Sequence, residues 1–370
     1  MIYLDHAATT PVKDEVLAAM LPYFSVAYAN PSASYRTART AKQAIDHARQ
    51  EIADALGAKR SEICFTSGGT EADNWALFGL AAARPDKRHI ITTPVEHHAV
   101  LHACEALSRK GYEITYLPVD EHALVSVEAL DKALRPDTLM VSVMLANNEI
   151  GTIEPLSRIV SIAHEHGVPV HTDAVQAAGH IPVDVNDLGV DLLSISAHKF
   201  GGPKGIGALY IRDGLHLEPL ICGGAQERGL RSGTENVPAI VGMGKALSLA
   251  CAHMPDASAY VGRLRHQLKL LLEEIPGVHI HGNFDCILPG HLHISIDHAN
   301  SQLLLMRLDM EGIAVSSGSA CASGAAVRSH VMEAIHPDEN QADLRFSIGE
   351  SNTIEEITTA AAVLRRILKR

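Results

Sequence analysis

The sequence has little positive charge, few cysteines and no long uninterrupted apolar run. Its 31 lysine and arginine residues are outnumbered by 43 acidic residues, for a formal net charge of −12. This balance argues against a general binder of nucleic-acid backbones, so we expect no nucleic-acid partner. The most apolar long stretch, residues 239–252, is interrupted by Lys245 and is too short to span a bilayer. We therefore expect a buried helix there and no membrane partner.

Cysteine usage and the N-terminus bear on the compartment. The six cysteines lack the paired spacing of a disulfide framework. They are Cys64, Cys104, Cys222, Cys251, Cys286 and Cys321. The first residues show no basic region followed by an apolar one, so no signal peptide is expected. These features fit a reducing environment and predict a cytoplasmic location.

The sequence is rich in hydrophobic residues, which make up 46% of its 370 residues. That is enough for a large core, in two domains or one large α/β domain. From about residue 60, β-rich runs alternate with amphipathic helical stretches. The candidate strands are residues 63–66, 89–93, 113–117, 139–144, 168–172, 191–196 and 208–211. Such alternation predicts a mainly parallel sheet covered on both faces.

The pattern changes after Gly233. Helices are predicted at residues 237–252 and 258–274, followed by a break at Pro276-Gly277. The rest predicts a smaller α/β unit with strands near residues 292–297, 313–316 and 344–348, and a helix at 302–311. The last helix begins with Thr353 and Glu356 at capping-box spacing.

A glycine-rich turn, Phe65-Thr-Ser-Gly-Gly-Thr-Glu71, lies where a predicted strand passes into a predicted helix. Small residues there let backbone N–H groups approach an anion at the helix N-terminus, and Thr70 adds a hydroxyl. The turn is therefore a candidate phosphate site. A simple tight turn is the alternative, because such turns are common.

The motif His171-Thr-Asp173-Ala-Val-Gln176 follows a predicted buried strand, at the edge where α/β proteins bind ligands. A carboxylate at this edge could pair with a protonated pyridine nitrogen and keep a cofactor electron-withdrawing. Alternatively, Asp173 caps the next helix.

The motif Ser194-Ile-Ser-Ala-His198-Lys199 also follows a predicted strand. A lysine at a strand end can form a Schiff base once burial or nearby cations lower its pKa. The alternative is a solvated loop lysine. Lys204, in the same loop, is assigned no such role.

A fourth motif, Val315-Ser-Ser-Gly-Ser-Ala-Cys321-Ala-Ser-Gly324, has almost no apolar side chain to anchor it. We therefore expect an exposed segment and a Cys321 that does not fill the core. An incidental surface thiol is the alternative.

In this order, the four motifs resemble the cysteine desulfurases (NifS/IscS-like) of the class V aminotransferase group, within fold type I of the enzymes that use pyridoxal 5'-phosphate (PLP). Further matching stretches are residues 3–11, 96–100, 147–151, 223–236 and 344–349. The resemblance implies an α/β fold with a large domain, residues 14–255, built on a mainly parallel seven-stranded sheet. It implies a smaller domain from residues 1–13 and 256–370 that carries the cysteine loop.

The resemblance also implies roles for individual residues. Lys199 would hold PLP as a Schiff base and move the substrate α-proton, and Cys321 would take the sulfur of L-cysteine as a persulfide, leaving L-alanine. His97 would stack on the ring and assist proton transfer, Asp173 would pair with the pyridine nitrogen, and Gln176 would bind the phenolic oxygen. The phosphate would be bound by Gly69, Thr70, Ser196 and His198, and by Thr234 from the other subunit of a homodimer. Asn148 would contact the cofactor, and with Arg345 it would also lie near the substrate carboxylate, where a guanidinium fork suits the task.

Some features depart from the family pattern or leave the function open. Tyr35 stands where histidine is usual, and His6 and His293 where asparagine is frequent. The 22 histidines suggest a metal site, but no cysteine or acidic partner recurs at ligand spacing, so no metal is expected. A selenocysteine lyase or another PLP-dependent transferase, and a non-catalytic sulfur-carrier module, are the alternatives. The sulfur acceptor is open, with iron–sulfur cluster assembly, tRNA thiolation and cofactor synthesis as candidate pathways.

Overall fold

The computed structural model describes residues 1–318, 329–336 and 341–369, so Cys321 lies outside the described residues. The strands are β1 (Ile2–Tyr3), β2 (Ile63–Thr66), β3 (His89–Thr92), β4 (Glu113–Tyr116), β5 (Thr138–Ser142), β6 (Val170–Asp173), β7 (Leu192–Ser196), β8 (Gly207–Ile211), β9 (Val278–His281), β10 (His291–Asp297), β11 (Ile313–Ala314) and β12 (Gln341–Ser347). The helices are α1 (Asp14–Met20), α2 (Pro22–Ser25), α3 (Arg36–Leu56), α4 (Gly69–Ala83), α5 (His98–Ser108), α6 (Val127–Ala133), α7 (Leu156–Glu165), α8 (Val185–Leu188), α9 (Val237–Glu273), α10 (Ser301–Met310), α11 (His330–Ile335) and α12 (Ile354–Leu368).

A seven-stranded sheet forms the centre of the larger part of the chain. Its strand order is β2-β8-β7-β6-β5-β3-β4. Neighbouring strands from β7 to β4 are parallel, whereas β8 runs antiparallel to both β2 and β7. The predicted α/β fold with a mainly parallel seven-stranded sheet is confirmed.

Both faces of this sheet are buried. Successive strand residues point to opposite sides, and two neighbouring residues of β3 pack in different apolar clusters. Ile91 packs in the cluster that includes residues of α3, α7 and α9. Its neighbour Ile90 packs in a second cluster with residues of α4 and α5. The sequence of a strand buried on both faces is therefore continuously apolar, rather than alternating between apolar and polar residues.

A smaller antiparallel sheet, in the order β12-β10-β9, forms a second layer. One face carries Leu292, Ile294 and Ile296, which pack in a separate apolar cluster with the second half of α9 and with α12. The other face carries buried polar residues, among them His293 and Arg345. The predicted capping box of α12 is present, since Thr353 and Glu356 bind each other's backbone N–H groups.

The predicted division between two C-terminal helices is wrong, because α9 runs unbroken from Val237 to Glu273 with Pro255 inside it. An interior proline costs about 3 kcal/mol. The helix offsets this cost by burial, since Leu247 packs in the first cluster and Leu264 in the cluster of the small sheet. By length and composition α9 is long and apolar enough to cross a membrane, a criterion that buried core helices also meet, and 56% of its most apolar 18-residue window is buried in the protein. The division into residues 14–255 and the rest stays a prediction.

The N-terminal residues join the two layers. β1 pairs with β11, and Asp5 forms a bridge with Ser347 at the end of β12. The chain then continues across the carboxyl edge of the large sheet, where Thr10 N–H donates to the carbonyl of His198. This path places residues 5–10 beside the ends of β6 and β7.

Candidate active site

Lys199 lies at the carboxyl edge of the large sheet, in a short 3-10 turn that directly follows β7. Its Nζ donates to the carbonyl oxygens of Ala7 and Ala8, at 3.0 Å for Ala8. Lys204, by contrast, is exposed. The structure therefore holds Lys199 inward by local contacts and leaves Lys204 in solvent, as the sequence interpretation distinguished them.

Asp173 ends β6, the strand next to β7, and is 5% exposed. One carboxylate oxygen accepts from Val175 N–H at 2.8 Å in a turn, so Asp173 does not cap the next helix, which begins at Val185 and is capped by Asp184. Burial, followed by the neighbouring Asp73 carboxyl, raises the pKa of Asp173 to about 7. A cationic partner in the site would favour its ionised form.

His97 faces the same region from the N-terminus of α5. Its Nδ1 accepts from Ala99 N–H at 3.1 Å, so the ring caps the helix in a fixed orientation. Burial, followed by the Lys199 ammonium, lowers the pKa of His97 to about 4. The imidazole is therefore neutral at physiological pH.

Asp73 is a site residue that the sequence interpretation missed. Among the described residues, one atom each of Asp73, His97 and Asp173 that could ligate a metal, a carboxylate oxygen or a ring nitrogen, lies within 4.8 Å of the other two. Asp73 is 1% exposed, and burial raises its pKa to about 7. One of its oxygens has no hydrogen-bond partner among the described residues but lies 3.5 Å from Nε2 of His171. The available signal was Asp73 itself, one of two acidic residues in a helix whose other residues are mostly apolar.

The predicted phosphate residues lie at the start of α4 and after β7. A Cβ on Gly69 would approach Val175 Cγ2 to 2.7 Å and Ser196 Cβ to 3.6 Å, so this close approach requires glycine. Thr70 follows in the first turn of the helix and is exposed, and His198 Nδ1 lies 3.2 Å from Thr9 Oγ1. The structure brings Gly69 and Ser196 together at a helix N-terminus that can accept an anion.

Gln176 and Lys199 meet at the same backbone group. The Gln176 side-chain amide donates to the carbonyl of Ala7 at 2.9 Å, and Lys199 donates to that same oxygen. The sequence interpretation recognised residues 3–11 as a motif but gave their backbone no role. Backbone acceptors of this kind leave no side-chain signal.

Arg345 and Asn148 lie side by side at the junction with the small sheet. Arg345 is 2% exposed, and its guanidinium donates to the Asn148 carbonyl at 2.9 Å and to Asp5 at 2.7 Å. Among the described residues, the side-chain oxygen of Asn148 and Nε of Arg345 are buried without a hydrogen-bond partner. This pair thus has hydrogen-bonding capacity that the described part of the chain does not satisfy.

Two predicted residues are not placed against the others. Thr234 is exposed in the segment before α9. That segment is held to α4 by Arg231, whose guanidinium contacts Glu71 at 2.8 Å. The role predicted for Thr234 requires a second chain, and Cys321 lies outside the described residues.

The departures and the histidine motifs differ in their surroundings, and His293 is fully buried with neither ring nitrogen hydrogen-bonded among the described residues. Tyr35 is exposed just before α3, and the ring of His6 packs edge-on against Tyr3 at 4.9 Å. His164 contacts Asp191 at 2.8 Å, and His279 contacts Asp297 at 3.0 Å. These two histidines each have a carboxylate partner.

Comparison with known proteins shows full-length similarity. The family described as "Aminotransferase class-V" matches residues 2–359. "Cysteine desulfurase IscS" from Methanosarcina thermophila is 48% identical over 372 residues, which cover 100% of this chain and 92% of the relative. "Putative cysteine desulfurase IscS 1" from Bacillus subtilis (strain 168) is 45% identical over 100% of this chain and 99% of the relative.

Solved structures agree with these matches. A "NIFS-LIKE PROTEIN" superimposes with a TM-score of 0.94 at 40% identity, covering 100% of this chain and 99% of the other. "SspA in complex with cysteine" superimposes with a TM-score of 0.84 at 38% identity, covering 95% of this chain and 100% of the other.

Proposed function

The chain belongs to the class-V aminotransferase family and is a PLP-dependent cysteine desulfurase, and we propose that it stores the sulfur of L-cysteine as a persulfide on Cys321 before an acceptor takes it. The observation that carries the site assignment is the convergence of Lys199, Asp173 and His97 at the carboxyl edge of adjacent strands.

The residues at this edge fit PLP. Asp73 and Asp173 are buried carboxyl groups near a neutral imidazole, and burial raises the pKa of Asp173, so a positive charge beside it would stabilise its ionised form. A protonated pyridine nitrogen would supply that charge. When bound, PLP supplies the electron-withdrawing ring that makes the α-proton of an amino acid acidic.

Each cofactor residue then has a task. Lys199 would bind the aldehyde covalently, Asp173 would accept from the ring nitrogen, and Gln176 would donate to the phenolic oxygen. Gly69, Thr70, Ser196 and His198 would hold the phosphate at the N-terminus of α4, where backbone N–H groups and the helix dipole favour an anion. Because the pKa of His198 is also lowered to about 4 by burial and by Lys199, it would contribute as a neutral hydrogen-bonding group.

Arg345 and Asn148 would bind the carboxylate of L-cysteine. A guanidinium can bind a carboxylate through two parallel hydrogen bonds, which fixes the substrate's orientation as well as its position. The related structure whose title names cysteine supports this substrate.

Proton transfer would be shared by Lys199 and His97. Lys199 would remove the α-proton, since its amine is held at the carboxyl edge of β7. His97 would accept or return a proton as a neutral base, because its lowered pKa keeps the ring uncharged in the resting enzyme.

Cys321 would perform the sulfur transfer. Its thiolate attacks the sulfur of L-cysteine, an S–S bond forms, and the C–S bond of the substrate breaks. The electron pair stays with the carbon skeleton, which takes up a proton and leaves as L-alanine. A thiolate suits this displacement because thiol–disulfide chemistry proceeds through the ionised form.

The assembly and partners follow from the same proposal. We propose a cytoplasmic homodimer in which Thr234 of one subunit reaches the phosphate held by the other. The acceptor would be a protein of iron–sulfur cluster assembly or tRNA thiolation, since a protein-bound persulfide can pass sulfur on by a further thiol exchange.

The purified protein with PLP and L-cysteine tests this function. We expect equal amounts of L-alanine and sulfide in the presence of a reductant, and no covalently held PLP in the Lys199→Ala variant. The Lys204→Ala variant is the matched control and should retain both. Pyruvate formation from L-cysteine without L-alanine, or PLP reducible onto Lys204, would refute the proposal.

A further inference from the structure

Glu96 is a fully buried acid to which the reaction described above gives no task. It lies directly before His97, in the turn of residues 93–97 that connects β3 to α5. It also begins the motif Glu96-His97-His-Ala-Val100, in which only His97 has a proposed role. The contacts of its side chain show how it can affect that histidine.

One oxygen of Glu96 binds the end of a neighbouring strand. Oε1 accepts from Met144 N–H at 2.8 Å and from the hydroxyl of Thr93 at 3.0 Å. Met144 lies two residues beyond β5, and the next N–H group, that of Leu145, donates to the carbonyl of Asp173 at 2.9 Å. Glu96 therefore holds the 93–97 turn against the pair of strand ends that carries Asp173.

Side chains make this connection because the backbone pairing of β3 with β5 stops earlier, at Ile91 and Val141. A second side chain, that of Asn147, donates from its amide to the carbonyl of Val95 at 2.9 Å. These two links attach consecutive residues of the 93–97 turn to the chain that follows β5. The position of His97 relative to the large sheet thus depends on them.

From this geometry we propose that Glu96 is a positioning residue for His97, which it holds at the carboxyl edge of the sheet beside Asp173. The His97 ring is fixed relative to α5 by the hydrogen bond from Ala99 N–H, and Glu96 fixes the start of that helix relative to the sheet. This inference rests on the proposed function, because it supports the proton transfer that is assigned there to His97.

The charge state of Glu96 indicates which variant can replace it. Burial raises the pKa of Glu96 well above its ordinary value, and the nearby Asp173 carboxyl adds to this, so the uncharged form is favoured. The amide of glutamine is also uncharged and keeps an oxygen that can accept from Met144 N–H. Glu96→Gln should therefore preserve the position of His97, whereas Glu96→Ala removes the acceptor.

A purely structural role for a buried acid is the alternative, and a double-mutant cycle with His97 distinguishes the two. If Glu96 acts through His97, its removal slows the reaction only while His97 is present. A general loss of stability would instead slow enzymes with and without His97 by the same factor.

Glu154→Ala is the matched control. Glu154 is also buried, and one of its carboxyl oxygens likewise accepts from a backbone N–H group, that of Val125 at 3.0 Å. In both acids the other oxygen is buried without a hydrogen-bond partner among the described residues. The Glu154 side chain therefore matches Glu96 in burial and bonding but is bound to a different segment.

The experiment measures kcat for L-alanine formation by the PLP-loaded single and double variants, together with PLP content and the free energy of unfolding in urea. We expect Glu96→Ala to lower kcat at least about tenfold when His97 is present, the scale of misplacing a reacting group, and less than about twofold in the His97→Ala background. Thr93→Val keeps the acid but removes one donor to it, so it should lower kcat by a smaller factor that His97→Ala also abolishes. This second cycle decides the question if Glu96→Ala does not fold. Glu96→Gln and Glu154→Ala should keep kcat close to that of wild type.

Equal losses of kcat in the presence and absence of His97 would overturn the proposal. A wild-type kcat in every folded Glu96 and Thr93 variant, a Glu96→Gln enzyme as slow as Glu96→Ala, or an equal loss in Glu154→Ala would also overturn it. A His97→Ala enzyme with the wild-type kcat would instead contradict the role proposed for His97 in the reaction, so the two failures are distinguishable.

Discussion

Arg345 donates a hydrogen bond of 2.7 Å to the carboxylate of Asp5, although 340 positions separate the two residues in the chain. Arg345 is 2% exposed, so this ion pair is largely withdrawn from solvent. The contact joins the N-terminal segment to β12, the strand that carries Arg345. Carbonyl groups of the same N-terminal segment accept hydrogen bonds from Lys199. Both ends of the chain therefore build one wall of the active site.

Replacing Arg345 by lysine should impair binding of L-cysteine more than binding of PLP. A lysine ammonium lacks the planar fork, so it cannot contact Asp5, Asn148 and a substrate carboxylate in the same geometry. We expect KM for L-cysteine to rise about 10- to 100-fold, equivalent to about 1.4–2.7 kcal/mol. Steady-state kinetics measures KM, and the visible absorbance of the bound cofactor is the control. An unchanged KM would mean that another residue binds the carboxylate.

Replacing Asp173 by asparagine should remove the anionic partner of the pyridine nitrogen while leaving Lys199 able to hold PLP. We expect kcat to fall on the order of a hundredfold, the scale of losing one electrostatic contact to developing charge. Asp73→Asn is the comparison. We expect Asp73 to act on the ring only through Asp173. Its replacement should therefore change kcat by less than about tenfold, which corresponds to a shift of about one unit in the pKa of Asp173.

The two quantities measured are kcat and the amount of PLP that stays bound after borohydride reduction. Equal losses in the two variants would assign the direct contact to both carboxyl groups. An Asp173→Asn enzyme that is as active as wild type would contradict the assignment of Asp173 to the ring nitrogen.

Glu154 should make the protein less stable as the pH rises. Burial raises its pKa from an ordinary 4.5 to about 8 in the folded protein. Below the ordinary pKa both states carry the proton. As the pH rises toward the folded pKa, the unfolded chain releases the proton while the folded chain keeps it, so the free energy of unfolding falls.

A Glu154→Gln variant cannot ionise and should lack this loss. Between about pH 5 and pH 8, its free energy of unfolding relative to wild type should increase by about 2–4 kcal/mol. Urea unfolding at the two pH values measures the difference. A relative stability that stays constant with pH would show that Glu154 ionises normally in the folded protein.

Much of the fold could be predicted from local pattern. The apolar strand runs, the glycine turn before α4 and the capping box of Thr353 are encoded within a few residues, and the structure has each of them. The continuous helix across Pro255 could not be predicted this way. It depends on packing against two clusters that are distant in sequence, which outweighs the local preference of proline.

The site divides in the same way. Lys199 and Asp173 could be singled out because each follows a recognisable strand and lies in a motif, and their roles stay predictions. Asp73 and the carbonyl of Ala7 could not, because their surroundings come from tertiary contacts. Asp73 lies on a helix and meets Asp173 only in the folded chain. A sequence pattern indicates neither a burial-raised pKa nor a backbone acceptor.

Mass spectrometry shows directly whether sulfur from L-cysteine rests on Cys321. The PLP-loaded enzyme is treated with L-cysteine without reductant, digested after alkylation of free thiols, and compared with a Cys321→Ser variant and with variants of the exposed Cys222 and Cys286. We expect one added sulfur on the Cys321 peptide of the wild type. We also expect the Cys321→Ser enzyme to keep PLP and its spectral response to L-cysteine but to form almost no L-alanine. Added sulfur on another cysteine, or L-alanine formation by Cys321→Ser near the wild-type rate, would contradict the proposed role of Cys321.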